Sequence, residues 1–331
     1  MAQLASPEIS DSAADSATPP PDFWLENPLK AFENWERTVS HSEGGFYAAH
    51  SLRQHRAMWN RFIEYLGQRS LSLAFIEADG VAAFLDQLQA KNGRPAQDST
   101  RRRYLKLLHA TFNHLVEIGL RAANPCSSLD RFYRALPTKS PVSLASRQED
   151  RFVDMVLAEP AETWREIRDQ AMLVLIVGSG LYTSELINLK MDELALDDDP
   201  PYLHIPAHGK VPERKAPIIG FALEPLRKWL EVRAALPQSR NEEAVFISGK
   251  GGKMLPATLY RKVQAVLKAH GQTLRPRGGF GPQVLRNAFL VRQLEKEKPV
   301  SVVQQWAGHV ETKSTLRFRS LVVNPGGVRA E

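Results

Sequence analysis

The stretch WREIRDQAMLVLIVGSGLYTSELINLKMDEL, residues 164–194, constrains the fold more than any other part of the chain. It reads as a strongly apolar helix, a Gly-rich turn, and a second helix that begins at Thr183-Ser184-Glu185. A helix this apolar needs an interior. Its apolar run is far short of the roughly 18 residues that a membrane span requires, so that interior is protein. With 331 residues the chain is long enough for two domains and a substantial core. One residue in the turn is out of place. Tyr182 stands where a buried polar site would form.

The segments before it, from about Phe23 to Leu129, are helical in pattern. SLRQHRAMWNRFIEYLG puts Leu52, Met58, Trp59, Phe62 and Leu66 near one face. EADGVAAFLDQLQA is a second amphipathic helix, and DSTRRRYLKLLHATFNHLVEIGL a third, with Asp98, Ser99 or Thr100 as its cap. Arg101, Arg102 and Arg103 then fall in its first turn, where the helix dipole disfavours cations. Phosphates would supply the compensation; a solvated basic face is the alternative. Residues 130–145 read as a linker, with prolines and serines, and residues 1–22 as a disordered lead-in that lacks the pattern of a signal peptide.

After the apolar helix the period changes. PYLHIPAHGKVPERKAPII alternates around a basic turn, as a two-stranded hairpin does. AVFIS reads as a short strand, and the segments EPLRKWLEVRAAL, TLYRKVQAVLKAHG, GPQVLRNAFLVRQLEKE, VSVVQQWAGHV and TKSTLRFRSLV as helices. The fold class is therefore mainly α with a small β-sheet. SGKGGKM lacks the Lys-Ser/Thr pair of a phosphate loop, and His204 and His208 share no helix face. No metal and no cofactor are expected. The single cysteine, Cys126, excludes an internal disulfide and fits a reducing, cytoplasmic compartment. A net charge of +6 points toward an acidic partner such as nucleic acid; a merely basic soluble enzyme is the equal alternative on charge alone.

The order of pieces in the second half resembles the tyrosine recombinase (phage integrase) family. RDQAMLVLIVGSGLYTSELINLKMDEL is similar to that family's Gly-Leu-Arg-x-Ser-Glu-Leu box, and HGKVPERKAPI to its hairpin, with Lys210 at the place of the catalytic lysine. GPQVLRNAFLVRQL resembles the His-x-x-Arg box. VVQQWAGHVETKSTLRFRSL resembles the Leu-Gly-His box, which the nucleophilic tyrosine follows nine residues later. The N-terminal helices resemble the family's DNA-gripping arm. The resemblance covers roughly residues 25–322 and implies two domains: a SAM-like helical core-binding domain at 23–129, and a catalytic-type domain at 146–325 followed by a tail at 326–331. Together they would clamp duplex DNA.

In the family a tyrosine attacks a phosphodiester while two arginines hold its free oxygens, a lysine protonates the leaving 5′-oxygen and histidines handle protons. Fixed donors of this kind are each worth about 10²–10³ in rate. Here the first arginine's place holds Tyr182, the histidine's place Gln283 and the nucleophile's place Phe318, while Lys210, Arg286 and His309 are retained. No tyrosine follows Tyr260. The resemblance thus implies a chain that is not itself an enzyme. It would be a site-specific duplex-DNA-binding protein with a regulatory, plasmid- or element-maintenance, or accessory role. The alternative is a subunit of an active recombination complex whose partner supplies the tyrosine. Phosphate contacts are expected from Arg101, Arg102, Arg103, Lys210, Lys250, Lys253, Arg275, Arg277, Arg286 and His309. The C-terminal SLVVNPGGVRAE is a candidate for self-association or for docking on an active recombinase.

Overall fold

The computed structural model describes residues 19–42, 49–90, 93–129, 140–209, 211–240, 242–269 and 281–322. Lys210, Arg275, Arg277, the tail at 326–331, the lead-in up to residue 18 and positions 130–139 of the expected linker lie outside the described residues. The chain divides into two compact units, Met1–Thr138 and Lys139–Glu331.

The first unit contains α1 (Pro21–Glu26), α2 (Pro28–Ser42), α3 (Ala49–Gln68), α4 (Ala78–Asp86) and α5 (Asp98–Glu117). Aromatic rings make its core. Phe32 stacks on Trp59 with centroids 5.1 Å apart, and Phe62 meets Phe84 edge-on at 5.0 Å. Such pairs add about 0.5–1.5 kcal/mol beyond the area they bury. Arg121 crosses beneath the α3–α4 loop and donates to Leu73 O at 2.8 Å and Ile76 O at 2.7 Å, satisfying carbonyls that a buried loop would leave bare. The start of α5 differs from the expected one. Gln97 is its extended cap, with no side-chain capping bond, and Asp98 is already helical. Arg101, Arg102 and Arg103 therefore begin the second turn.

The second unit is built around one helix. Its elements are α6 (Ser146–Ala158), α7 (Trp164–Ser179), α8 (Thr183–Asn188), α9 (Gly220–Ala235), α10 (Pro256–Ala269), α11 (Pro282–Glu295), α12 (Val300–Ala307) and α13 (Thr312–Leu316). Thr163 caps α7, its hydroxyl accepting from Glu166 N at 3.4 Å while the Glu166 carboxylate accepts from Thr163 N at 2.8 Å. Every residue from Ala171 to Ser179 is buried. Each large apolar side chain so enclosed contributes about 1.5–3 kcal/mol. Gly178 lets α9 approach, because a Cβ there would lie 2.8 Å from that of Ala222. α7 ends on Gly180 in the left-handed conformation (φ 66°), which favours glycine.

The sheet has three antiparallel strands in chain order: β1 (Leu194–Ala195), β2 (Tyr202–Ile205) and β3 (Arg214–Pro217). β2 and β3 are the expected hairpin, with Ile205 opposite Arg214. β1 is too short to carry an alternation, which is why the sequence does not announce it. AVFIS is not a strand. Val245, Phe246 and Ile247 are buried, and this segment pairs through single bridges, Lys190 with Ala244 and Ile247 with Lys253. Its apolar run reports burial, and burial alone does not make a ladder.

Candidate functional site

Two glycine turns bring the site together. After Gly180 the chain re-enters helix at α8 with Tyr182 as its extended cap, and the Tyr182 N–H donates to the Glu185 carboxylate at 2.8 Å. After α12, Gly308 adopts φ 66° and delivers His309. Arg286 projects from α11 between these turns. It is 1% exposed. Its Nη1 donates to Gly180 O and its Nη2 to Ala307 O at 2.6 Å, with His309 Nε2 3.3 Å from Nη2. The Tyr182 ring covers the guanidinium, with Cζ 3.5 Å from the ring centroid. The residue that interrupts the family box is therefore a lid on the retained arginine.

His309 is stripped of its proton at neutral pH. Burial first, then the charges of Arg286, Arg214 and Arg317, push its pKa down to about 4. With Arg286 donating toward Nε2, the remaining proton sits on Nδ1 and donates to Thr315 Oγ1, 2.8 Å away. Phe318 stacks on the imidazole, 8° from parallel with centroids 6.2 Å apart. It is buried in a small apolar cluster with Phe289, Leu290 and Val303. Gln283 is exposed and donates to Asn287 Oδ1 at 2.8 Å.

Arg214 is a site residue that sequence reasoning missed. It is 5% exposed. Its Nε donates to Trp306 O at 3.0 Å and its Nη2 to Glu185 at 2.8 Å. Arg214 and Arg286 thus hold consecutive carbonyls at the end of α12, where unpaired acceptors and the negative end of the dipole attract cations. A signal was present. Arg214 shares a strand face with buried Ala216, and an arginine on an inward face is an anomaly. Beside it lies a cleft of about 390 Å³ lined by Tyr182, Glu185, Asn188, Ile205, His208 and Arg214. Two guanidiniums, one carboxylate and a neutral imidazole leave this site positive.

Among the described residues, the other expected phosphate contacts do not line this cleft. Lys250 and Lys253 are exposed on the turn that Ser248 N closes on Gly252 O at 2.8 Å. In the first unit Arg101 pairs with Asp86 at 3.2 Å and Arg103 donates to Gln54 at 2.7 Å, while Arg102 is half-buried.

This architecture is that of the tyrosine recombinases. It matches the crystal structure of XerH site-specific recombinase bound to palindromic difH substrate with TM-score 0.71, at 19% identity, over 88% of this chain and 81% of that one. A structure of the Tn1549 transposon integrase in complex with a circular intermediate DNA matches with TM-score 0.68, at 16% identity, over 86% and 93%. The chain belongs to the phage integrase family, whose model matches residues 144–322, more than half its length. Among its relatives, tyrosine recombinase XerC of Vibrio parahaemolyticus is 29% identical over 307 residues, 92% of this chain and 91% of the relative. Tyrosine recombinase XerD of Vibrio cholerae is 26% identical over 270 residues, 81% and 84%. These relatives correct the expectation of a chain that is not an enzyme, because both are named as recombinases. That expectation rested on side-chain identities at three positions, Tyr182, Gln283 and Phe318. The geometry around them is an assembled site, with both glycine turns formed and Arg286 locked in place.

Proposed function

We propose that this chain binds duplex DNA at specific sites as a subunit of a strand-exchange assembly. It holds a phosphodiester at the cleft lined by Tyr182, Glu185 and His208, whose Tyr182 wall stacks on Arg286. A second recombinase subunit supplies the attacking tyrosine. The observation that carries this reading is the buried Arg286, fastened to both glycine turns and paired with a neutral His309. That is a rigid cationic anchor beside a proton acceptor, the equipment of phosphoryl transfer. The fold neighbours whose structures are described as bound to DNA support the choice of ligand. Phe318, packed on His309, supports a nucleophile arriving from outside the chain, since its ring fills the place and carries no hydroxyl.

The test mixes the full chain with a nicked suicide duplex, alone and together with an intact tyrosine recombinase. A covalent protein–DNA adduct that needs both proteins is the expected result. An adduct formed by this chain alone would place the nucleophile within it and overturn supply in trans. Absence of duplex binding at low salt would overturn the reading as a whole.

A further inference from the structure

We infer that Arg214 is a phosphate ligand of this site, providing from strand β3 the second guanidinium that position 182 does not carry. The inference rests on the proposed reading that the cleft takes a DNA phosphodiester, and it names a residue which that reading does not require.

Arg214 carries an unfinished set of hydrogen bonds. Arg214 Nε and Nη2 are engaged by Trp306 O and Glu185. Its Nη1 is buried and has no partner among the described residues. Arg286 Nε is in the same state. A buried cationic donor left unsatisfied is unfavourable, and such groups are rare in folded proteins unless a ligand completes them. Two of them occur on arginines that hold adjacent carbonyls, Trp306 and Ala307. Arg214 also lines the cleft together with Tyr182. An anionic oxygen in that cleft would give Arg214 Nη1 the acceptor it lacks.

Three neighbours set Arg214 up for this task. Gly308 leaves room for it, since a Cβ there would stand 2.8 Å from the guanidinium carbon. Glu185 orients it through Nη2 and leaves Nη1 free, its own charge shared between Arg214 and the Tyr182 N–H. Tyr182, stacked over Arg286, closes one face of that arginine, which leaves Arg214 as the arginine that lines the cleft among the described residues.

The experiment measures binding of the full chain to duplex DNA across a salt series, for the wild type, R214Q and R214K. Losing one phosphate contact lowers the slope of log K against log salt by about 0.9. R214Q is expected to show that reduction together with weaker binding. R214K keeps a charge but loses the fork, so its slope should stay near that of the wild type while affinity falls roughly tenfold. A folded R214Q with the wild-type slope would overturn the inference. If circular dichroism shows R214Q unfolded, R214K decides, and wild-type affinity in that variant would overturn it. A wild-type chain that binds no duplex is a different result, which removes the proposed function itself.

Discussion

At the scale of single residues, the site is a contest between burial and charge. Arg286 is almost wholly enclosed, and burial lowers its pKa; a guanidinium stays charged all the same, and Gly180 O, Ala307 O and the Tyr182 ring replace the water it loses. His309 loses the same contest, since burial first and then the charges of Arg286, Arg214 and Arg317 oppose its protonation. This has a pH signature. Its folded pKa of about 4 lies below the ordinary 6.5, so the unfolded chain takes up the proton first as pH falls. The stability this histidine contributes is fully present above pH 6.5 and is lost as pH drops toward 4. Glu149, whose carboxyl burial pushes up to about 7, titrates over an overlapping range with the opposite sign. The readout is therefore a difference between wild type and His309→Gln in denaturation midpoint, taken at pH 5 and pH 7.5. The penalty for the substitution should be smaller at pH 5. An equal penalty at both values would mean that His309 is not depressed.

At the scale of elements, the α7–α9 pair shows how one substitution changes sign with its surroundings. Alanine favours a helix over glycine by about 1 kcal/mol. At Gly67 in α3 a Cβ meets nothing within 4 Å, so Gly67→Ala should stabilise by about 0.5–1 kcal/mol. At Gly178 the same methyl would lie 2.8 Å from the Ala222 Cβ, and both atoms are fixed to helix backbones. Overpacking of this kind costs about 1–3 kcal/mol, which outweighs the propensity gain, so Gly178→Ala should destabilise. Chemical denaturation of the two variants tests this. A stabilised Gly178→Ala would show that α9 can withdraw from α7 without penalty.

At the scale of the whole molecule, the +6 net charge belongs to the proposed duplex partner and should be visible in salt dependence. With six to ten phosphate contacts, affinity should fall by about 10³–10⁵ between 50 and 200 mM salt. A binding constant flat across that range would show that the basic surface is not engaged. Much of this molecule is legible along the chain. The apolar period of α7, its glycine stop, the hairpin and the boxes around Arg286 and His309 depend on neighbours a few residues away, and local pattern reports them faithfully. Arg214 does not work that way. Its role comes from Glu185, Trp306 and Gly308, which are distant in sequence and meet it only when β3 packs beside the end of α12. The same holds for Tyr182. The sequence shows an arginine's place filled by a phenol. That the phenol lies across Arg286 follows from the α7–α11 packing, because a cation–π contact is a matter of distance and orientation, and residue order encodes neither.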